Sequence, residues 1–236
     1  MLSGRLHSVN CDRRRSYALS VNTAEQSRFE LRLGDDGFYG RPDLSAFPSN
    51  RAELSAKGAN TKFAFGTEYW IAYSFLVEDG PVNTSTRGPY LGQFHATDDA
   101  NDVPSSPPLA VLLNGETFQI VTTTTAEDPH TVNPPDQVRY STPFVRGVPW
   151  DIVYRVTFGW QTGSASLEAW VNDVKVVEDL ATEIGYNDAV GLYFIQGIYR
   201  FADAPETLIA RYSKPEWGVA DLSSRIGNPL PVYPTP

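Results

Sequence analysis

Apolar and polar residues alternate along most of the chain, and no apolar stripe with a 3.6-residue period persists for three helical turns. Because successive side chains of a β-strand point to opposite faces, this pattern predicts half-buried strands. The alternating segments are rich in β-branched and aromatic residues, which pleated surfaces favour. Strands are predicted at residues 16–21, 28–33, 51–57, 69–77, 90–96, 109–113, 117–124, 150–158, 166–171, 174–178, 189–200 and 207–212.

Turn-forming residues separate the predicted strands. They occur at Gly34-Asp35-Asp36-Gly37, Asn114-Gly115, Gly163-Ser164 and Asn172-Asp173, and Asn-Gly between two apolar runs is the sharpest hairpin signal. About a dozen strands without helical crossovers predict an all-β fold, an antiparallel β-sandwich closed as a jelly roll with a concave groove. The 236 residues suit one domain, residues 1–236.

Two long segments, residues 78–87 and 97–106, fit no strand and flank the predicted strand 90–96. Both contain Gly, Pro, Asn and Asp. Long ordered loops beside a rigid sheet usually line a binding groove, so we expect both to border the functional site. The Pro-rich segment 216–236 is expected to wrap the surface without adding a domain.

The formal net charge of −9 argues against a nucleic-acid binder, because such affinity rests on clustered Lys and Arg. The only basic run, Arg13-Arg14-Arg15, is interpreted as a solvated surface stretch. An acidic protein can still have a locally basic cleft, so an anionic polysaccharide remains a suitable partner.

A single cysteine, Cys11, excludes an internal disulfide framework and a cysteine-based zinc cluster. No apolar stretch approaches the ~20 residues of a membrane span, and the first residues do not resemble a signal peptide. We expect a monomer without a membrane partner. Action outside the cell would then need a leader beyond this sequence or a non-classical exit.

Polar, proton-handling residues share one face of three predicted strands that lie far apart in the sequence. Residues i and i+2 of a strand point the same way, so each short motif places its side chains together. This arrangement predicts the floor of an active site. The three sets are Arg51 and Glu53; Gln93 and His95; and Tyr193, Ile195, Gly197 and Tyr199.

The order and spacing of these motifs resemble the jelly-roll polysaccharide lyases, from Arg51 to Arg200. The Arg51-Ala52-Glu53-Leu54 strand is similar to one of the alginate lyases. Gln93-Phe94-His95, followed by prolines and an apolar run, and the closing Gly197-Ile198-Tyr199-Arg200 resemble more closely the branch of glucuronan lyases and heparin lyase I-like enzymes. The resemblance implies a lyase that cleaves a uronic-acid polysaccharide, with glucuronate expected, by β-elimination.

β-Elimination beside a uronate needs hydrogen-bond donors to its carboxylate, a base for its α-proton and an acid for the departing oxygen. The resemblance implies that Gln93 and Arg51 are the donors, each contributing about 3 to 4 kcal/mol. His95 is then the base, because a neutral imidazole accepts a proton at working pH. Tyr199 is the acid, and in the syn geometry of the family it also serves as the base.

Four further residues are assigned to substrate binding: Glu53, Tyr193, Ile195 and Arg200. Glu53 is expected to pair with Arg51, and Arg200 to have a peripheral role because it lies on the opposite strand face. Where the family usually carries Lys, this chain has Ile195, so one cleft cation is missing and the substrate should be unsulfated. Fewer charges in the cleft would give only a modest dependence on ionic strength.

No cofactor is predicted. Calcium at Asp98, Asp99, Asn101 and Asp102 is a weak alternative, because their spacing matches no known calcium loop. His130, in a Pro-flanked loop, and His7 are expected to face solvent.

Two other functions are open. A retaining glycoside hydrolase would need a paired-carboxylate strand motif, and the nearest string, residues 178–183, has the wrong offset. A non-catalytic carbohydrate-binding or phage-tail domain descended from a lyase is favoured by Ile195. Gln93, His95 and Tyr199 together argue against it, because binding alone needs no acid and base.

Overall fold

Two large antiparallel sheets contain most of the strands in the computed structural model, which describes residues 7–35, 48–58 and 62–234. In chain order the strands of these residues are β1 (His7–Asn10), β2 (Leu19–Val21), β3 (Ser27–Leu31), β4 (Ser49–Ala56), β5 (Lys62–Phe63), β6 (Glu68–Val77), β7 (Tyr90–Thr97), β8 (Leu109–Asn114), β9 (Thr117–Thr122), β10 (Thr124–Thr125), β11 (Gln137–Pro143), β12 (Trp150–Thr157), β13 (Ala165–Val171), β14 (Val174–Thr182), β15 (Gly185–Tyr186), β16 (Val190–Phe201), β17 (Leu208–Tyr212) and β18 (Glu216–Gly218).

Sheet A has the strand order β1-β4-β16-β7-β8-β9-β11, with β5 paired to one end of β16. Sheet B has the order β14-β13-β12-β6-β17-β3-β2, with β18 also paired to β6. Strands β10 and β15 form a separate parallel pair. The one helical element of the described residues is a 3-10 turn, Ser223–Arg225. The predicted antiparallel jelly-roll sandwich is confirmed.

The core lies between the two sheets and is rich in aromatic side chains. Phe63, Phe94, Phe158 and Phe194 are all buried, and Phe94 is the centre of their contacts, with ring centroids 5.1 to 5.3 Å away. The side chain of Phe94 on β7 thus points into the core. Because side chains alternate along a strand, those of its neighbours Gln93 and His95 point outward. The rigid core fixes the direction of the outward-facing residues.

Two predicted hairpins are confirmed. Asn114 pairs with Thr117 across a two-residue turn in which Gly115 has φ +61°. Asn172 and Asp173 have φ +47° and +70°, as a type I′ turn requires at both central positions. The predicted turn at residues 34–37 extends beyond the described residues, which end here at Asp35.

Five strands have no counterpart among the predicted ones: β1, β5, β11, β15 and β18. Most of them are very short, and β11 is an edge strand with no fully buried residue. A short or polar edge strand produces no apolar alternation, so the pattern missed it. The Arg13-Arg14-Arg15 run is exposed, as expected.

The C-terminal segment wraps sheet B. Leu222, Ile226 and Leu230 pack against a small cluster around Trp70 on the outward face of that sheet. No helix of the described residues is long and apolar enough to cross a membrane.

Candidate active site

Four strands of sheet A bring the sequence-predicted residues together: β16 at the centre, β7 on one side, and β4 and β5 on the other. Their register forms three rows that run across the sheet. The rows are Arg51, Tyr199 and Tyr90; Ser55, Ile195 and Gln93; and Lys62, Tyr193 and His95. Side chains more than 140 residues apart in sequence therefore become direct neighbours.

These rows form the floor of a cavity of about 360 Å³, here called the cleft. Arg51, Gln93 and His95 line it, together with Tyr193, Ile195 and Tyr199, so six of the eight predicted site residues reach the same space. The other lining residues are Asn10, Ser55, Arg87, Tyr90, Pro104, Ser105, Ser106, Pro107 and Asn133.

Glu53 does not reach the cleft, so its predicted contact with substrate is wrong. The side chain is buried beneath the floor, where its Oε1 accepts a 2.6 Å hydrogen bond from Nε2 of Gln93. Gly197 is its direct neighbour on β16. Because glycine has no side chain, Glu53 can extend across β16 at this position. At φ +135° a Cβ atom on Gly197 would collide with the Ala52 carbonyl. Glu53 therefore orients the Gln93 amide from below.

The predicted pairing of Glu53 with Arg51 is present, at 3.9 Å between Oε2 and Nη1. Burial raises the pKa of Glu53 to about 7, although Arg51 and the hydrogen bond from Gln93 both act to lower it. Near neutral pH this carboxyl group is thus only partly ionised, and it neutralises Arg51 incompletely.

Arg200 is also excluded from the cleft, and its predicted role in substrate binding is wrong. It faces the opposite side of β16, as strand alternation indicates, and is fully buried. Its Nη2 donates a 2.6 Å hydrogen bond to the Glu206 carbonyl, and the Glu206 carboxylate lies 3.7 Å from Nη1. Arg200 anchors the segment that follows β16.

His95 is held as a neutral imidazole with a defined tautomer. Its Nδ1 lies 2.9 Å from the Ala96 carbonyl oxygen, which accepts a hydrogen only if Nδ1 carries it, so the lone pair is on Nε2. Burial lowers the pKa of His95, and the nearby cations Arg51 and Lys62 act in the same direction. The ring stacks on Tyr193 at a centroid distance of 5.6 Å. The residue is thus prepared to accept a proton.

Tyr199 and Arg51 lie directly opposite one another on β16 and β4. The guanidinium carbon of Arg51 lies 4.7 Å from the centroid of the Tyr199 ring, and its Nη2 donates a 3.1 Å hydrogen bond to Ser49 Oγ. Tyr90 packs on the other side of Tyr199, with the ring centroids 6.0 Å apart. The phenol is thus held between two neighbours with its side chain in the cleft.

Sequence reasoning missed a cation in the cleft, Arg87. It comes from the loop before β7, and its Nη2 donates a 2.6 Å hydrogen bond to Ser106 Oγ while Nε lies 3.4 Å from the Tyr90 hydroxyl. One indication of its role was present in the sequence, since the segment 78–87 flanks the predicted strand 90–96. Strand alternation assigns no direction to a loop residue.

The cleft continues into a second cavity of about 330 Å³, which shares Asn10, Ser55 and Tyr193 with it. Two lysines line this extension, Lys57 and Lys62. Nζ of Lys62 donates a 2.6 Å hydrogen bond to Thr97 Oγ1 and lies 4.3 Å from the Tyr193 ring centroid.

Every formally charged side chain that lines these two cavities is basic. Among the described residues the charged ones are Arg51, Arg87, Lys57 and Lys62, and no carboxylate lines either cavity. The expectation that Ile195 leaves the cleft poor in cations is therefore wrong, although Ile195 does face the cleft. The cations come from strands and loops outside the three motifs.

Loops close one side of the cleft, as predicted for residues 97–106. Pro104, Ser105 and Ser106 line it, and Asn133 of a second loop fastens them. The Asn133 side chain accepts a 2.9 Å hydrogen bond from the Ser106 amide and donates a 2.7 Å one to the Pro104 carbonyl.

The acidic residues of this loop mostly bond to the chain itself. Asp98 accepts a hydrogen bond from Ser105 Oγ, Asp99 from the Ala189 amide and Asp102 from the Asp99 amide.

Neither histidine outside the cleft is as exposed as expected. His130 is 1% exposed, so its predicted solvent-facing position is wrong. His7 is half-buried on β1, with its ring centroid 6.2 Å from that of Trp217. A Pro-flanked loop predicts exposure, whereas His130 packs against Asp102 of another loop and Tyr186 of β15.

Comparison with known proteins gives a family match over most of the chain. The model of the family described as "Polysaccharide lyase" matches residues 6–212. No curated protein matches the sequence.

Several solved structures share the fold. An endo-β-1,4-glucuronan lyase from the fungus Trichoderma reesei is similar with a TM-score of 0.67 and 13% sequence identity, over 93% of this chain and 92% of that one. Alginate lyase A1-II′, a member of polysaccharide lyase family 7, has a TM-score of 0.59 and 16% sequence identity, over 86% of this chain and 84% of that one. An alginate lyase from Pseudomonas aeruginosa has a TM-score of 0.54 and 18% sequence identity, over 86% of each chain.

Proposed function

Because the chain belongs to the polysaccharide lyase family, we propose that it cleaves a uronic-acid-containing polysaccharide by β-elimination in the sheet A cleft. The observation that carries this proposal is the charge of the cleft. In a protein of net charge −9, the charged side chains that line the cleft and its extension are all basic within the part of the chain that the structure describes. Such a local field favours an anionic polymer.

The same observation weighs against hydrolysis. A retaining glycoside hydrolase needs two carboxyl groups about 5 to 5.5 Å apart at the scissile bond. Within the described residues no carboxylate lines the cleft, and Glu53 is buried beneath it. Neither the family match nor the geometry favours a purely binding domain.

The first step is recognition of the uronate carboxylate by Gln93 and Arg51. Gln93 Nε2 has two hydrogens and donates one to Glu53, which leaves the other for the substrate. Because Glu53 fixes the amide before substrate arrives, little reorganisation is needed when charge develops on the carboxylate. Arg51 supplies the positive charge beside it.

Two side chains on the floor of the cleft, His95 and Tyr199, then carry out the proton transfers. Neutral His95 removes the C5 proton through Nε2, the electron pair forms the C4–C5 double bond, and the C4–oxygen bond breaks. Tyr199 donates its hydroxyl proton to the departing oxygen, so protons and electrons balance. In a syn variant Tyr199 performs both transfers.

We propose glucuronate as the uronate and an unsulfated polymer as the substrate. The structural neighbour with the TM-score of 0.67 is named as a glucuronan lyase, above the 0.59 of the alginate lyase. Ile195 lies between Ser55 and Gln93 in the central row and offers an apolar contact for a sugar face. A substrate of this class is extracellular, so we propose that the enzyme acts outside the cell. We also propose that the elimination reaction itself uses no metal.

The test is incubation with glucuronan, alginate and heparin, followed by ultraviolet absorbance of the unsaturated uronate product. We expect activity on glucuronan, weaker activity on alginate and little on heparin. Preferred cleavage of heparin would refute the unsulfated substrate. Saccharide products without an unsaturated end would refute elimination itself.

A further inference from the structure

Three loops beside the cleft bring together a second group of chemically active side chains. Asp102 comes from the loop between β7 and β8, His130 from the loop between β10 and β11, and Asp188 from the turn before β16. One potential ligand atom from each lies within 4.8 Å of the other two. The proposed lyase reaction uses none of them.

Asp188 is a buried carboxylate that forms no ion pair with a Lys or Arg of the described residues. Its exposure is 7%, and no N–H or hydroxyl group of those residues donates to its oxygens, so the Asp102 carboxyl group is its one hydrogen-bond neighbour there. It faces the carboxylates of Asp102, Asp99 and Asp98, which repel its charge. A buried anion among other anions is unfavourable unless a cation or a proton lies between them.

His130 is equally buried and carries a second unsatisfied atom. Its exposure is 1%, and Nε2 has no hydrogen-bond partner. Nδ1 lies 3.2 Å from Oδ1 of Asp102, and the ring packs against Tyr186 at a centroid distance of 4.7 Å. Nδ1 is therefore the imidazole nitrogen that can share an ion with Asp102 once it carries no hydrogen, and the Tyr186 ring limits rotation of the imidazole.

Backbone groups hold the third residue in place. Oδ1 of Asp102 accepts a 2.8 Å hydrogen bond from the His130 amide, and Oδ2 accepts one of 2.8 Å from the Asp99 amide. Each carboxylate oxygen has a further lone pair available. The ligand positions are thus set by the loops before any ion arrives.

We propose that Asp102, His130 and Asp188 bind one divalent transition-metal ion, for which Zn²⁺ is the probe. Two carboxylate oxygens and one imidazole nitrogen form a donor set that suits zinc, whereas calcium prefers oxygen ligands only. Zinc–ligand bonds of about 2.0 to 2.2 Å in a tetrahedral site place ligand atoms about 3.5 Å apart, so the three atoms, which now lie within 4.8 Å of one another, draw closer when the ion binds.

The ion would have a structural role. The loop of Asp102 also supplies Pro104, Ser105 and Ser106 to the cleft wall, and the loop of His130 supplies Asn133. Bridging these loops restrains that wall, so metal loading should affect KM more than kcat. The rival explanation is a proton shared between Asp102 and Asp188, which would need no metal.

The experiment uses the full chain without an affinity tag, after treatment with a chelator. Zinc is added back, bound metal is counted after desalting, and melting curves are recorded with and without zinc. We expect one zinc per chain and, at about 100 times the dissociation constant, a rise of about 5 °C or more in melting temperature. Calcium at the same concentration should give no comparable rise.

The decisive variant is Asp188→Asn, because Asn keeps the shape of the side chain and can donate a hydrogen bond to Asp102. We expect it to fold, as judged by circular dichroism, and to lose both the bound zinc and the thermal shift. Asp173→Asn, in an exposed hairpin turn, should keep both. No binding by the wild type would refute the metal site and leave the shared proton as the explanation. Equal binding by Asp188→Asn would place zinc elsewhere, and a shift with calcium alone would refute the transition-metal assignment.

Discussion

The outward faces of the two sheets carry similar residue types but treat their charges in opposite ways. On sheet B, Arg155 lies 3.0 Å from Glu68 and 2.9 Å from Glu168, and Lys175 lies 2.6 Å from Glu168. On sheet A, the basic residues of the cleft face a space that no carboxylate of the described residues lines. On sheet B the charged side chains pair with one another at the surface, whereas on sheet A the basic side chains line an open cavity.

Aromatic residues show the same contrast. Trp70 and Trp170 stack on sheet B, with centroids 5.9 Å apart, and the C-terminal segment packs over them. Tyr193 and Tyr199 on sheet A are instead left accessible in the cleft. Residue type therefore does not identify the functional face, whereas a cavity lined by basic and aromatic side chains does.

The largest expected effect is on catalysis when the phenol in the cleft is removed. Tyr199→Phe should lower kcat on glucuronan about 100-fold or more, because the departing oxygen loses its acid, and should leave the melting temperature nearly unchanged. Steady-state kinetics and a thermal melt test this. Tyr140→Phe, on the edge strand of the same sheet, is the control with unchanged kcat. Near-normal turnover of Tyr199→Phe would remove Tyr199 from the mechanism.

A pair of arginine variants tests the charge comparison itself. Arg87→Gln in the cleft should raise KM about 10-fold, because a cation that faces the polymer is lost. Arg155→Gln on sheet B should leave KM unchanged and cost at most about 1 kcal/mol of stability, since its ion pairs are exposed to solvent. KM measured at two salt concentrations adds a check, because Arg87→Gln should weaken the salt dependence. Equal effects of the two variants would contradict the comparison.

Two glutamate variants should have opposite pH dependence. Burial raises the pKa of Glu53 from 4.5 to about 7, so the folded state loses stability as pH rises through that window. Glu53→Gln removes this loss and should gain stability relative to the wild type between pH 5 and pH 8.

Glu168 on sheet B supplies the opposite case. The hydrogen bond from Lys175 lowers the pKa of Glu168, so its stabilisation is present above the ordinary value of 4.5 and lost as pH falls through the folded-state pKa. Glu168→Gln should therefore be destabilised at neutral pH and approach the wild type in acid. Urea unfolding across this pH range measures both variants, and parallel curves would contradict the assignment.

The smallest expected effect concerns Ile195. Ile195→Lys adds a fifth cation to the cleft and its extension and should improve the relative KM for heparin only a few-fold, since Arg87 and the lysines already supply positive charge. The ratio of the KM values for heparin and glucuronan measures it. A change of 100-fold or more would show that this position alone sets tolerance of sulfate.

The sequence allowed the face and the strands of the site to be predicted, because strand alternation is local. It placed Gln93 and His95 together, and Tyr193 with Tyr199. It could not reveal that Arg51 lies opposite Tyr199, since the register between β4 and β16 is a property of the folded sheet. The order of the motifs, through the family resemblance, indicated that residues of the three separate strands form one site.

The errors arose where the surroundings decide the role of a side chain. Glu53 shares a strand face with Arg51 but is buried, because it extends across β16 at Gly197, which has no side chain. Arg87 and His130 lie in loops, where no periodicity indicates direction, and one enters the cleft while the other is enclosed. Burial of this kind depends on contacts between distant segments.

Gly197 links the assembly of the protein to its chemistry through one position. A side chain there would push β4 away from β16 at Ala52, and Glu53 would lose its route to Gln93. Selection for a well-folded sheet alone would therefore preserve the orientation of the Gln93 amide as a by-product. A substitution at Gly197 would therefore disturb the packing of the sheet and this part of the site together.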